Sequence, residues 1–357
     1  MTYNNFSTTL VVNTITDKPL YRIITLIILI VSRISDAIAA DSSPAYNFLN
    51  LTTSSHIYGL GGVNITTIDD DVNIIDQNPS LLGPEFDRQI GLGYMRYIAG
   101  TNIASARFCS KSSEHGAWAI GLTYFGYGDM TEADEAGNIL GNFSPKDVSF
   151  NGTYSHDITD RLRGGITLKF LYSSYAEFTA LALATDLGIN YFDPERDLSL
   201  SVVIANLGGQ IKRFHEHYDR LPFDIRLGWA KSFGSLPIRF SVTAWNLTQW
   251  KLPYQDPGDK FNEESLAVKE SFGSNLFRHL IFGADFIPSE KFHVGIGYNY
   301  KTRTDMSTYN RSFLSGLSIC AGLKVKSFAV GIALSQPHTG ATTFMVNLST
   351  NLNELLN

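Results

Sequence analysis

The run KDVSFNGTYSHDITDRLRGGITLKFLYSSYAEFTALALATDLGINYF, residues 146–192, decides the fold class. Val148, Phe150, Gly152 and Tyr154 fall on one face, and Asp147, Ser149, Asn151 and Thr153 on the other. After the turn Asp157-Ile158-Thr159-Asp160 the alternation resumes, with Leu162, Ile166, Leu168 and Phe170 opposing Arg161, Arg163, Thr167 and Lys169. A third segment sets Leu183, Leu187, Ile189 and Tyr191 against Ala184, Asp186 and Asn190. A period of two gives each strand one oily and one wet face.

The same pattern extends both ways. Phe223, Ile225, Leu227 and Trp229 oppose Asp224, Arg226 and Gly228, and Phe292, Val294, Ile296, Tyr298 and Tyr300 oppose His293, Gly295, Gly297, Asn299 and Lys301. Fourteen strands are predicted near 88–98, 101–109, 116–126, 146–156, 161–172, 180–192, 197–206, 222–232, 237–246, 277–287, 291–301, 313–325, 327–335 and 341–349. Most exceed the about 5–6 residues usual in soluble sheets and match the about 9–11 that cross a bilayer at a tilt. Short turns alternate with long connections at 127–145, 207–221, 247–276 and 302–312. The expectation is an all-β, 14-stranded antiparallel transmembrane barrel of outer-membrane type, occupying 88–349 with a tail at 350–357.

Composition agrees. The 357 residues are 44% hydrophobic and 12% aromatic but only 17% charged, below the roughly 25% of a soluble domain. The sequence holds no run of about 20 apolar residues to cross as a helix. A net charge of −6 excludes a basic nucleic-acid footprint. Tyr124, Phe125, Tyr127, Tyr172, Phe192, Trp245 and Tyr300 near strand ends read as interfacial girdles. Arg161, Arg163, Lys169, Asp186, Asp224, Arg226, Arg239, Asp285 and Lys324 fall on wet faces, hence in the lumen. Their mixed signs suit a salt-bridged filling better than the single-sign rings of a selective pore.

Residues 1–40 have the order of an export signal: Lys18 and Arg22, the apolar run 23–31, then Ala37-Ile38-Ala39-Ala40. Cys109 and Cys320 make no disulfide framework and read as two free thiols. Residues 41–87 break the strand pattern and read as a luminal plug or a periplasmic extension. Gly59, Gly61, Gly62, Asn78 and Pro79 mark this segment, beside Asp69-Asp70-Asp71.

Catalytic motifs are missing: no Walker loop, nucleophile elbow or zinc-binding HExxH occurs, and Gly59–Gly62 lacks dinucleotide-loop spacing. His215 and His217 show no third ligand. A non-enzymatic chain without metal or cofactor is expected, with outer-membrane lipid as its surroundings. The longest loop, 247–276, carries Trp250, Tyr254, Phe261 and Phe272, which read either as a partner surface or as a lid over the barrel mouth.

Several of these stretches resemble the PorV/PorQ family of Bacteroidetes type IX secretion, relatives of the long-chain fatty-acid transporter barrels. The resemblance rests on Gly59-Leu60-Gly61-Gly62, the Asp cluster and Asn78-Pro79-Ser80. Gly141 to Asp147 and the run LPFDIRLGWAKSFGSLPIRFSVTAWNLTQW, 221–250, look like the PorQ branch. So does Asp186-Leu187-Gly188 ahead of Asn206-Leu207-Gly208. Ser80 stands where the family usually has Ala, and the C-terminus lacks the terminal aromatic common in barrel-insertion signals. The resemblance implies a non-enzymatic member of the attachment complex that anchors the surface protein PorZ beside PorU and PorV. A fatty-acid-type transporter of hydrophobic compounds, or a PorV-like cargo shuttle, is the competing expectation.

Overall fold

In a computed structural model the described residues are 46–134, 136–214, 218–233, 236–250, 252, 272–305, 315–338 and 341–355. The strands are β1 (Gln89–Arg96), β2 (Asn102–Ser113), β3 (Gly116–Gly126), β4 (Met130–Ala133), β5 (Ile139–Phe143), β6 (Lys146–Thr159), β7 (Leu162–Tyr175) and β8 (Phe178–Asp193). They continue as β9 (Leu198–Lys212), β10 (Asp224–Ser232), β11 (Ile238–Ala244), β12 (Leu280–Ser289), β13 (Phe292–Asn299), β14 (Leu317–Val325), β15 (Phe328–His338) and β16 (Ala341–Asn351). All but β4 and β5 form one closed antiparallel barrel of 14 strands, as the alternation predicts. It closes where β1 meets β16, from Gln89 opposite Asn351 to Arg96 opposite Phe344. Closure leaves no open sheet edge, which a bilayer core would not tolerate.

The polarity is inverted relative to a soluble protein. Leu168, Phe150, Leu122, Ile296, Ile319 and Ile332 stand exposed on the outer wall, while Ser149, Asn151, Thr153, Thr167, Asp224, Arg226 and Asn347 are buried inside. A belt of apolar side chains right round the outside is stable only against hydrocarbon. Among the described residues no helix is long and apolar enough to cross a membrane.

The departures from the expected strands have local causes. The 127–145 connection contains the β4–β5 hairpin. β9 runs on to Lys212, through the expected 207–221 loop, because two bulges let it follow β8. The bulge at Asn206, whose φ is +57°, is held by buried partners. Asp186 accepts its backbone N–H at 2.7 Å, Lys169 Nζ donates to its side chain at 3.0 Å, and Lys169 and Asp186 pair at 2.5 Å. Tyr300 and Lys301 leave the strand pattern for a short helix, Tyr300–Asp305. Phe125 and Tyr127 are not girdle residues. Phe125 is buried, its ring 4.8 Å from Phe48, and Tyr127 donates to Asp147 at 2.5 Å. The strand period explains this, since neighbours such as Tyr124 and Phe125 cannot both face outward.

Leu168, 60% exposed in the middle of β7, tests the outer wall. Leu168→Arg should destabilise the barrel by about 2–4 kcal/mol, read as a lower denaturant midpoint in lipid vesicles.

Candidate functional site

The candidate site is the lumen and the segment that occupies it. Residues 46–87 form short turns and one helix, α1 (Ser55–Gly59), with Ser54 capping its N-terminus. Three features shape this fold locally. Gly61 and Gly62 adopt φ of +105° and +91°, the left-handed region that glycine enters without penalty, and so turn the chain after α1. Asp71 caps the next turn through the N–H of Asn73 at 3.1 Å. Asn78 Oδ1 accepts from the N–H of Ser80 at 3.0 Å and its hydroxyl at 2.6 Å, while Asn78 Nδ2 donates to the Ile65 carbonyl at 2.8 Å. Pro79 follows at the first position of a 3-10 turn, where no N–H is required. Ile57, Val72, Ile74, Ile75, Leu81, Leu82 and Phe86 form a small apolar core around these turns.

The plug is bound to the wall all round. Asn347 of β16 donates to the Thr53 carbonyl at 2.7 Å and accepts from the N–H of Ser55. Arg107 of β2 reaches the Asn73 carbonyl at 3.2 Å and Asp76 at 3.3 Å. Arg226 of β10 binds Gln77 at 2.6 Å, Asn50 at 3.0 Å and Asp224 at 2.9 Å. Ser155 of β6 donates to the Leu82 carbonyl at 2.6 Å, Ser318 of β14 to that of Gly59 at 2.9 Å, and Asn64 to Ser241 of β11 at 3.0 Å.

Backbone approach completes the fit. A Cβ on Gly297 of β13 would lie 2.1 Å from the Leu60 carbonyl carbon, and one on Gly165 of β7 would lie 2.4 Å from that of Pro79. Gly188, Gly228 and Gly331 likewise face Asn78, Ile65 and Ser55.

The predicted luminal charges take these positions. Lys169–Asp186 and Asp224–Arg226 are buried ion pairs. Arg163 binds Glu85 at 2.7 Å and Asp157 at 2.5 Å. Lys324 binds Asp70 at 2.6 Å, Arg239 donates to the Ile68 carbonyl at 3.3 Å, and Asp285 meets His56 at 2.9 Å. Arg161 lies in the turn before β7, paired with Asp193 at 3.3 Å and Glu195 at 3.2 Å. Of the loop aromatics, Trp250 stacks on His279 at 5.1 Å and lies 5.5 Å from Phe272, which is exposed. Tyr254 and Phe261 lie outside the described residues, as do His215 and His217. Cys109 and Cys320 are free, buried thiols.

One cluster escapes sequence reasoning. His56 is clamped between Asp69, 2.6 Å from Nδ1, and Asp285, 2.9 Å from Nε2. Burial alone would push its pKa down, but Asp285 and Asp69 outweigh that and hold it well above the usual imidazole value. Burial also works to raise Asp69, yet the His56 charge keeps it well below the usual carboxylate range. Asp71, buried and facing the charge of Asp69, is pushed up to about 6.

No protein-family model matches the chain, and no curated protein matches its sequence. Its fold is similar to the toluene transporter TbuX of Ralstonia pickettii, with 10% identity, a TM-score of 0.51, and 85% of this chain and 98% of that one covered. It is also similar to a deltaS2S3 mutant of the monoaromatic hydrocarbon channel TodX, with 11% identity, a TM-score of 0.53, and 85% and 100% covered. The Pseudomonas putida toluene transporter TodX matches with 10% identity, a TM-score of 0.50, and 84% and 97% covered. These likenesses concern the fold alone, a closed β-barrel.

Gly297→Ala should loosen the plug by about 1–3 kcal/mol, because backbone rather than a side-chain tip must move. Faster proteolysis within 46–87 reads this, with Gly152→Ala, which meets nothing within 4 Å, as the control. Asp71 supplies a pH test. Its folded pKa lies above the ordinary 3.8, so the folded state holds this proton more tightly and stability falls as pH rises from about 4 through 6. Asp71→Asn should remove this component, on the order of 3 kcal/mol, seen as a higher unfolding midpoint than wild type at neutral pH and none at about pH 4.

Proposed function

We propose that this chain is a non-enzymatic outer-membrane scaffold of the type IX attachment machinery, exported by the signal at 1–40. Its long-loop end, with Trp250 and Phe272, anchors a PorZ-like surface protein that works beside PorU and PorV. The observation that carries this reading is the occupied lumen. A plug hydrogen-bonded and ion-paired to the wall from β2 round to β16 suits a rigid platform more than a conduit. The PorV/PorQ-like stretches at 59–62, 78–80 and 221–250 support the particular machinery.

The fold likeness favours a second reading, passage of hydrophobic compounds. The similar solved structures are described as toluene transporters and a monoaromatic hydrocarbon channel. For this chain that role requires the plug to rearrange, breaking buried ion pairs that each cost several kcal/mol to separate.

Affinity purification from outer membranes, with partners identified by mass spectrometry, distinguishes the readings. The scaffold predicts stable recovery of a PorZ-like protein, and a deletion strain that releases its cargo unattached. Normal attachment in that strain, together with uptake of a hydrophobic tracer by vesicles containing the purified barrel, would replace it with transport. Recovery with the translocon and cargo signals would make it a shuttle.

A further inference from the structure

The plug and the wall meet at a constellation that neither reading uses. A ring nitrogen of His56 on α1, a ring nitrogen of His293 on β13 and the Cys320 thiol on β14 all lie within 4.8 Å of one another. The imidazole rings stack with centroids 4.0 Å apart and planes 15° from parallel. Two nitrogens and a sulfur are donors that zinc accepts, and Asp285, 2.9 Å from His56 Nε2, is within reach as a fourth. Tetrahedral zinc wants ligand atoms about 3.3–3.8 Å apart, so side-chain shifts of about 1 Å close the set.

Two further observations point to a metal. The first is Asp69, which accepts from His56 Nδ1 at 2.6 Å. Metal-ligating histidines characteristically donate their second ring N–H to a carboxylate, which fixes the tautomer and aims the other nitrogen at the ion. Here that contact aims Nε2 at Asp285. The second is access. A narrow cleft, open to solvent at the short-turn end, reaches His56 and His293 past Asp69, Asp70, Asp71 and Glu290, with Lys291 and Lys324 also on its wall. The backbone leaves space for the cluster: a Cβ on Gly295 would strike Asp285 Oδ1 at 2.6 Å and Cys320 Sγ at 2.7 Å, and one on Gly322 would strike His293.

We propose that His56, His293 and Cys320, completed by Asp285, form a structural site for a zinc-like divalent cation that fastens the plug to the barrel wall. Binding exchanges two protons, from His56 Nε2 and the Cys320 thiol, for one cation. Asp69 is a positioning residue. The site is structural because its ligands join α1 of the plug to β13 and β14 of the wall, which no disulfide cross-links among the described residues.

The test uses the full chain, purified in detergent, stripped with a chelator, reloaded with zinc or cobalt(II), and desalted. Wild type should retain about one zinc per chain and, with cobalt, show the near-ultraviolet thiolate charge-transfer band. Cys320→Ser should abolish the band, and His293→Ala should weaken zinc binding more than Asp69→Asn, which should weaken it about 10–100-fold. Zinc should slow proteolysis of 46–87 in wild type but not in Cys320→Ser. Folded wild type that retains no stoichiometric zinc, or that binds cobalt without the thiolate band, overturns the site whatever the variants do.

Discussion

A barrel of fourteen strands is wider than its own inward side chains can fill, the limit for self-filling lying at about eight strands. The rest of the structure answers that constraint. The lumen must hold water or protein, and its wall carries buried charge that has to be paired in either case. Here the chain supplies the filling from residues 46–87. Arg107, Arg226, Arg163 and Lys324 find their acceptors on that segment, so the wall and the plug each satisfy groups that the other leaves open.

The wall is shaped for this occupant. Inward positions of a strand normally carry side chains, yet Gly165, Gly188, Gly228, Gly297 and Gly331 stand where the plug backbone or its short side chains touch the sheet. Each weakens its strand slightly, since glycine has more freedom to lose on folding and nothing to pack. The close fit offsets that cost. Fixed shape and matched hydrogen bonds, rather than apolar area alone, hold the plug in place.

How much of this was legible in the sequence depended on the range of the interaction. Strand period is local, so all fourteen barrel strands were readable, whereas Arg161, placed by the alternation on a wet face, lies in the turn before β7 and pairs with Asp193 and Glu195. Asn206 illustrates the middle range. Its bulge depends on Lys169 and Asp186, so β9 continued where local signals suggested a loop. The His56 cluster was illegible because its members come from three separate parts of the chain, and nothing near His56 in the sequence announces Asp285, His293 or Cys320. The pairing of plug and wall was hidden for the same reason. Period two says only that a side chain faces inward, not what it meets there.

The seam between β1 and β16 bears on the order of assembly. The plug runs directly into β1, and near their junction the Arg88 carbonyl accepts from the N–H of Leu352 at 2.9 Å while Asn351 donates its side-chain N–H to the Asp87 carbonyl at 3.1 Å. The last strand to be synthesised therefore pairs with the strand whose own start emerges from the lumen. Wall backbone and plug backbone crowd each other at Gly297 and Gly165. The β1–β16 ladder is the clasp that joins the two ends of the sheet around the plug. That contact joins the two ends of the barrel sequence, the most distant pairing the topology contains, and non-local closures of this kind are the slow steps of β-rich folding.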